Sequence, residues 1–345
     1  MNCYKCAGKA VISLQHGNIC RKHFLSYFEN KVFWTINKYQ LIGRDEKICV
    51  AASGGKDSLT ALHLTKKYLE EYKIPLNIFA LAINEGIAGY RKKTLTDLKK
   101  FCEEEKIPLH IISFKKEFGK ELDKAYPKIN KSSGKRQCNL CGVWRRYLIN
   151  KYARKLGAAK VITGHNLDDE AQAVLMNLFK ANTALAGRLG PKTGLLDDDN
   201  DNDNLNDNLF IPRGKPLYFC TEKETRLYAL LKGFQVRFAE CPYSNEGYRH
   251  HIQEMLNDFE AKYRGTKQGI INSFLDILPF LKEREKKKEK LLSSTIKKCK
   301  LCKEPANSDF CNACKMKGEL EDKNLKQLKA LKSTGTRKNQ PKREN

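Results

Sequence analysis

The chain is 345 residues long, 41% apolar, and carries 65 Lys and Arg against 40 Asp and Glu, a formal charge of +25. That apolar share is enough to build a core, which excludes wholesale disorder, and no apolar run approaches the roughly 20 residues that cross a bilayer, which excludes a helical membrane protein. The charge excess is a surface property, and it suits a polyanion such as nucleic acid over a cationic or neutral partner.

The opening segment, MNCYKCAGKA, lacks the apolar stretch of a secretory signal, so the expected location is the cytoplasm. Thiols stay reduced there, and the 13 cysteines are therefore expected to bind metal or do chemistry, not to form disulfides. Residues 1–28 read as a knuckle in which Cys3, Cys6, Cys20 and His23 place three thiolates and an imidazole on a tetrahedral zinc; His16 breaks the paired spacing.

Residues 29–285 alternate short apolar strands with amphipathic helices. EKICVAA (46–52), LNIFALA (76–82), LHIIS (109–113) and AKVIT (159–163) read as buried strands, and LTALHLTKKYLEEY (59–72) has helical spacing. That cadence predicts an α/β fold with a mostly parallel, doubly wound sheet covered by helices on both faces. Further helices are expected around 222–233, 248–262 and 268–292. Within this region DDDNDNDNLNDN (197–208) cannot bury apolar surface and is expected to be a disordered insertion; it lacks the Gly and the final Glu of a calcium loop. Residues 286–318 contain Cys299, Cys302, Cys311 and Cys314, spaced to close a second, four-sulfur zinc site. With four protein ligands each, both sites are expected to be structural. Residues 319–345 form a basic tail suited to phosphates.

Three segments carry chemistry. In ICVAASGGKDS a strand ends in Ser53, Gly54, Gly55, Lys56, Asp57 and Ser58 and passes at once into a helix. The glycines admit a close phosphate, the first helical amides and the macrodipole favour its charge, and Lys56 and the hydroxyls add donors. The four-residue interval of a Walker A loop is missing, since Val50 stands where its first glycine belongs. In GHNLDDEAQ (164–172), Gly164 and His165 lie at a strand end and Asp168 and Asp169 in a first helical turn, as magnesium or nucleotide ligands or as plain dipole caps. In CNLCGVWRRYL, Cys138 and Cys141 precede a helix beside Arg136, Arg145 and Arg146, which should lower their pKa values; Cys241 in ECPYS is a third, remote thiol. These three suit a 4Fe-4S cluster with one open iron, or a persulfide carrier with a resolving partner, or a third zinc knuckle completed by Cys220 or Cys241, and spacing does not choose among them.

SGGKDS after a strand resembles the PP-loop of the ATP pyrophosphatase superfamily, a Rossmann-like fold. Together with NEGIAGYR (84–91), CxxCGVxRR, GHNLDDEAQ, ECPYS and the two knuckles, it resembles the tRNA 2-thiouridine synthetases over almost the whole chain. The resemblance implies that ATP adenylates the C2 oxygen of a wobble uridine in tRNA and that sulfur then displaces AMP. It implies a ubiquitin-related sulfur carrier and a paralogous second subunit as partners, with a homodimer left open. It further implies that Cys138, Cys141 and Cys241 are the active-site cysteines, and that Ala52, Ala82, Gly164 and Asp169 lie near the nucleotide. On this reading Lys56 and the loop amides hold pyrophosphate, Asp57 or Asp169 organises magnesium, and Arg145 stabilises charge, because a guanidinium does not transfer protons. Two departures stand out: Asn84 where relatives carry Asp, and Arg145 where bacterial relatives carry Lys. The alternatives are a silent tRNA-binding scaffold subunit and a PP-loop enzyme acting at another tRNA position.

Overall fold

The computed structural model describes residues 1–14, 16–194, 210–236, 241–244, 247–292 and 297–321, without the side chains of 288–292. The expected insertion at 197–208 and the tail from 322 lie outside these residues.

The chain opens with an antiparallel hairpin, β1 (Ala10–Leu14) and β2 (Gly17–Cys20), and continues into α1 (Arg21–Lys38). The central units follow as β3 (Ile48–Ala51), α2 (Lys56–Glu71), β4 (Ile78–Asn84), α3 (Arg91–Glu104), β5 (Leu109–Ser113), α4 (Phe114–Phe118), α5 (Leu122–Ser133), α6 (Gln137–Lys155) and β6 (Lys160–Thr163). Beyond these lie α7 (Leu167–Phe179), α8 (Thr183–Ala186), β7 (Lys192–Thr193), β8 (Arg213–Gly214), α9 (Glu222–Leu231), α10 (Tyr248–Lys262) and α11 (Thr266–Leu292). A second hairpin, β9 (Lys297–Lys298) with β10 (Pro305–Ala306), precedes α12 (Asn312–Leu320). Helix α1 runs across residue 28 and α11 across residue 285, so continuous helices join both knuckles to the middle of the chain.

The expected α/β architecture is present. Six strands form one sheet in the order β5-β4-β3-β6-β8-β7, parallel except for the edge strand β7. From β3 the chain winds one way to β4 and β5, then returns to place β6 on the other side of β3. Right-handed crossovers in opposite directions put helices on both faces, and the reversal leaves a crevice between the C-terminal ends of β3 and β6, where ligands bind in open sheets. Register sets these ends level, with Ala51 opposite both Leu81 and Thr163.

Burial on both faces explains the near-continuous apolar strands, with Ile48, Cys49 and Val50 wholly enclosed. Helix α2 buries Leu59, Leu62 and Leu69 on one stripe. Helix α6 is anchored by Trp144, whose ring stacks on Phe118 at 4.0 Å and meets Phe114 edge-on at 5.2 Å. These aromatic contacts fix the rotation of α6, and with it the direction in which its first turns face.

Candidate active site and metal-binding knuckles

The loop after β3 is built around Gly54 and Ser58. Gly54 adopts φ +85°, and a Cβ there would lie 2.3 Å from the carbonyl oxygen of Thr94, so a side chain is barred by both backbone and neighbour. The amides of Ser53 and Gly54 donate to Ser58 Oγ at 3.1 and 3.2 Å, and that hydroxyl donates to Gly55 O at 2.9 Å. One serine thus shapes the turn that presents the start of α2 at the switch-point crevice. Ala52 and Ala82 are buried at adjacent strand ends, with Ala52 N donating to Leu81 O at 3.0 Å.

Lys56 Nζ lies 2.8 Å from Glu222 Oε1 and 3.1 Å from Asp57 Oδ2. Burial acts to lower this ammonium, but the two carboxylates outweigh it and hold its pKa above the ordinary lysine value. Asp57 is pushed up, first by burial and also by the charge of Asp169, although Lys56 and a 3.1 Å hydrogen bond from Asn166 Nδ2 act the other way.

The turn after β6 comes against this loop. A Cβ on Gly164 would stand 2.7 Å from the carbonyl of Asp57 and 2.8 Å from Ser58 N, so only glycine lets the two turns meet. His165 projects outward and contacts Thr163 Oγ1 at 3.0 Å. Asn166 and Asp169 form a reciprocal capping box at the start of α7, and Asp169 also accepts Arg249 Nη2 at 2.7 Å. Asp168 faces inward: it is buried, pairs with Lys267 and accepts the amide of Glu222 at 2.8 Å. It therefore ties α7 to α9 and α11, a structural role in place of magnesium or nucleotide contact.

Cys138, Cys141 and Cys241 are brought to one region. Cys138 and Cys141 sit in the first turns of α6 itself, not ahead of it, and Cys138 Sγ donates to Tyr243 O at 3.2 Å in the segment that carries Cys241. Cys141, Cys241 and Tyr243 pack on the apolar cluster containing Trp144. The expected acidification by Arg136, Arg145 and Arg146 is corrected at Cys141: burial pushes the thiol up to about 12, with Glu85, Cys241 and Cys138 adding to it, and Arg145 opposes without prevailing. Cys241 is likewise raised, chiefly by burial. Cys220 is wholly enclosed in a different core cluster, so it does not complete a site with these thiols.

Sequence reasoning missed Glu222, Arg249 and Lys267, and it singled out Glu85 and Arg91 only within the NEGIAGYR motif, without a role for either side chain. Glu222 also had a local signal, as the residue after the N-cap in the box that Thr221 and Glu224 form. The others are recruited across 80 or more residues or through buried contacts.

At the termini the donor atoms of Cys3, Cys6, Cys20 and His23, and of Cys299, Cys302, Cys311 and Cys314, all fall within 4.8 Å of one another. A tetrahedral zinc with bonds of about 2.3 Å to sulfur and about 2.0 Å to nitrogen requires edges of about 3.8 Å between sulfurs and about 3.5 Å from sulfur to nitrogen. Cys6 to Cys20 and Cys302 to Cys311 are each 3.7 Å, and His23 Nδ1 lies 3.3, 3.6 and 3.5 Å from Cys3, Cys6 and Cys20. The sets fit such an ion. Amides of Cys311 and Cys314 donate to Cys299 and Cys311 sulfurs at 3.3 and 3.4 Å, as donors to thiolates do. His16 is outside the first set.

Residues 26–250 match a family model described as a PP-loop domain. A tRNA-5-methyluridine(54) 2-sulfurtransferase from Pyrococcus horikoshii is 35% identical over 328 residues, covering 94% of this chain and 96% of that one. A cytoplasmic tRNA 2-thiolation protein 1 from Yarrowia lipolytica is 34% identical over 294 residues, covering 85% and 76%. Among solved structures, the U34-tRNA thiolase NcsA from Methanococcus maripaludis, with its [4Fe-4S] cluster, superposes with a TM-score of 0.72 at 29% identity over 94% of this chain and 96% of its own.

Proposed function

The chain belongs to the PP-loop family, and from that premise we propose that it is an ATP-dependent tRNA 2-sulfurtransferase that converts a wobble uridine to 2-thiouridine. One observation carries this reading. Arg91 donates to Ser53 O in the loop after β3 and stands 2.7 Å from Glu85, whose other carboxylate oxygen lies 3.9 Å from Arg145 on the helix that carries Cys138 and Cys141, which supports phosphate and sulfur chemistry acting side by side.

In the first half-reaction the uridine C2 oxygen attacks the α phosphorus of ATP, the bond to pyrophosphate breaks and the N3 proton is released. Lys56 and the first amides of α2 hold the departing pyrophosphate, and Gly54 and Gly55 leave room for it. Asp57 or Asp169 organises magnesium, which supplies charge neutralisation at the phosphates. In the second, a sulfur nucleophile attacks C2, the bond from C2 to oxygen breaks and AMP leaves. Arg145 offsets the negative charge that gathers there. Cys138, Cys141 and Cys241 hold the sulfur machinery. Cys138 Sγ donates to Tyr243 O, which brings the helix carrying Cys138 and Cys141 against the segment carrying Cys241, as a group shared by three thiolates requires. A 4Fe-4S cluster there would supply an open iron to carry sulfide.

The terminal quartets hold structural zinc, supported by their tetrahedral spacing. The cytoplasm as location, a ubiquitin-related sulfur carrier, a paralogous subunit and self-association complete the proposal. The expected basic tail supplies phosphate contacts along the tRNA.

The test is to incubate the chain, prepared anaerobically, with tRNA, ATP and a sulfur donor and to read 2-thiouridine by mass spectrometry. Product that persists when Cys138, Cys141 and Cys241 are all changed to Ala removes the cysteine mechanism. ATP-independent tRNA binding with no AMP release returns the scaffold reading.

A further inference from the structure

Glu85 follows the last residue of β4 and is 5% exposed, and its carboxylate lies between two guanidinium groups. Arg91 Nε stands 2.7 Å from Oε2, and Arg145 Nη1 stands 3.9 Å from Oε1. Arg91 is itself buried, and its N–H groups are directed at backbone and hydroxyl oxygens: Nε to Ile83 O at 2.8 Å, Nη1 to Ser53 O at 2.5 Å and to Thr94 Oγ1 at 3.2 Å. Glu85 Oε2 consequently has an adjacent charge but no aligned hydrogen bond among the described residues. A carboxylate needed only to satisfy Arg91 would take its donors. This one leaves them to the carbonyls and turns its second oxygen toward Arg145.

The ends of the path are functional. Arg91 grips Ser53 in the nucleotide loop, and Arg145 lies one helical turn after Cys141 on α6. Arg145 is half exposed, and its ion pair with the buried Glu85 carboxylate limits the directions its long side chain takes.

We propose that Glu85 is a positioning residue for sulfur transfer: braced by Arg91 against the nucleotide loop, its carboxylate holds Arg145 between the crevice and the thiols. This rests on the activity proposed above. Glu85→Gln keeps the shape and removes the charge, and Arg145→Ala removes the group it aims.

The experiment compares wild type, E85Q, R145A and the double variant in full-length protein, reading 2-thiouridine turnover and KM for ATP. E85Q is expected to lower kcat about tenfold, within the range of coupled neighbours, with KM for ATP changed less than about twofold. Glu85→Asp is expected to recover part of the loss. The double variant is expected to be no slower than R145A alone, because a positioning residue has nothing left to position. Losses that multiply would overturn the proposal and make Glu85 a support of the fold. A crystal structure of E85Q decides independently of turnover: the Arg145 guanidinium is expected to leave its place beside residue 85, and finding it unmoved overturns the proposal. Absence of thiouridine with the wild-type chain would instead count against the activity.

Discussion

Changing Gly164 to Ala adds one methyl group where two turns of the nucleotide crevice touch. The new Cβ would lie 2.7 Å from both the carbon and the oxygen of the Asp57 carbonyl and 2.8 Å from Ser58 N. Ordinary separations between such atoms are about 3.5 Å, so the turn after β6 and the start of α2 must part by about 0.7 Å. No side chain can swing aside, because every atom met is backbone. Overpacking of this kind costs about 1–3 kcal/mol of stability, which leaves a folded protein. The functional cost is larger, since displacement approaching 1 Å at a reacting centre is worth on the order of 100-fold. Thiouridine formation measured against ATP concentration is expected to show kcat/KM for ATP down about 30- to 100-fold, with a cooperative thermal transition retained. Gly269→Ala, on α11 with nothing within 4 Å of its Cβ, serves as the control and is expected to leave activity unchanged. Activity of G164A within threefold of wild type would refute the reasoning that these two turns form one rigid phosphate cradle.

Other outcomes follow from the same geometry. Lys56→Ala is expected to lower kcat/KM for ATP about 100- to 1000-fold, measured by tRNA-dependent pyrophosphate release, as loss of a preorganised charged donor does. After iron is removed with a chelator, iodoacetamide labelling of the folded chain at pH 8, read by peptide mass spectrometry, is expected to modify the exposed Cys138 and spare Cys49, Cys102 and Cys220, whose thiols burial raises, Cys102 to about 12. Those three buried thiols also set a sign for stability: above an ordinary thiol pKa of about 9 the unfolded chain loses protons that the folded chain keeps. Unfolding midpoints in denaturant are therefore expected to fall as pH rises from about 9 toward 12, and a flat profile would count against burial as the cause. Cys6→Ala and Cys302→Ala are each expected to remove one zinc per chain by elemental analysis and to lower thermal stability, with more than one zinc retained in either variant counting against the assignment.

The sequence determined by itself whatever depends on neighbours along the chain. Strand cadence gave the α/β class, the SGGKDS turn its anion-binding character, and the CxxC and CxxH spacings the two terminal quartets, because each needs only a few consecutive dihedral angles or one short chain reversal. Tertiary structure decided the rest. Strand order places β6 beside β3, and only that adjacency presses Gly164 against Asp57 and lets Asn166 reach its carboxylate. Asp168 and Asp169 are sequence neighbours with similar expectations, yet successive helical positions point about 100° apart, so one faces Lys267 in the core and the other Arg249 at the crevice. At Cys141 the nearby arginines were legible but the burial was not, and desolvation outweighs them. Charge is written in the sequence; the dielectric around it is set by what the fold packs against it.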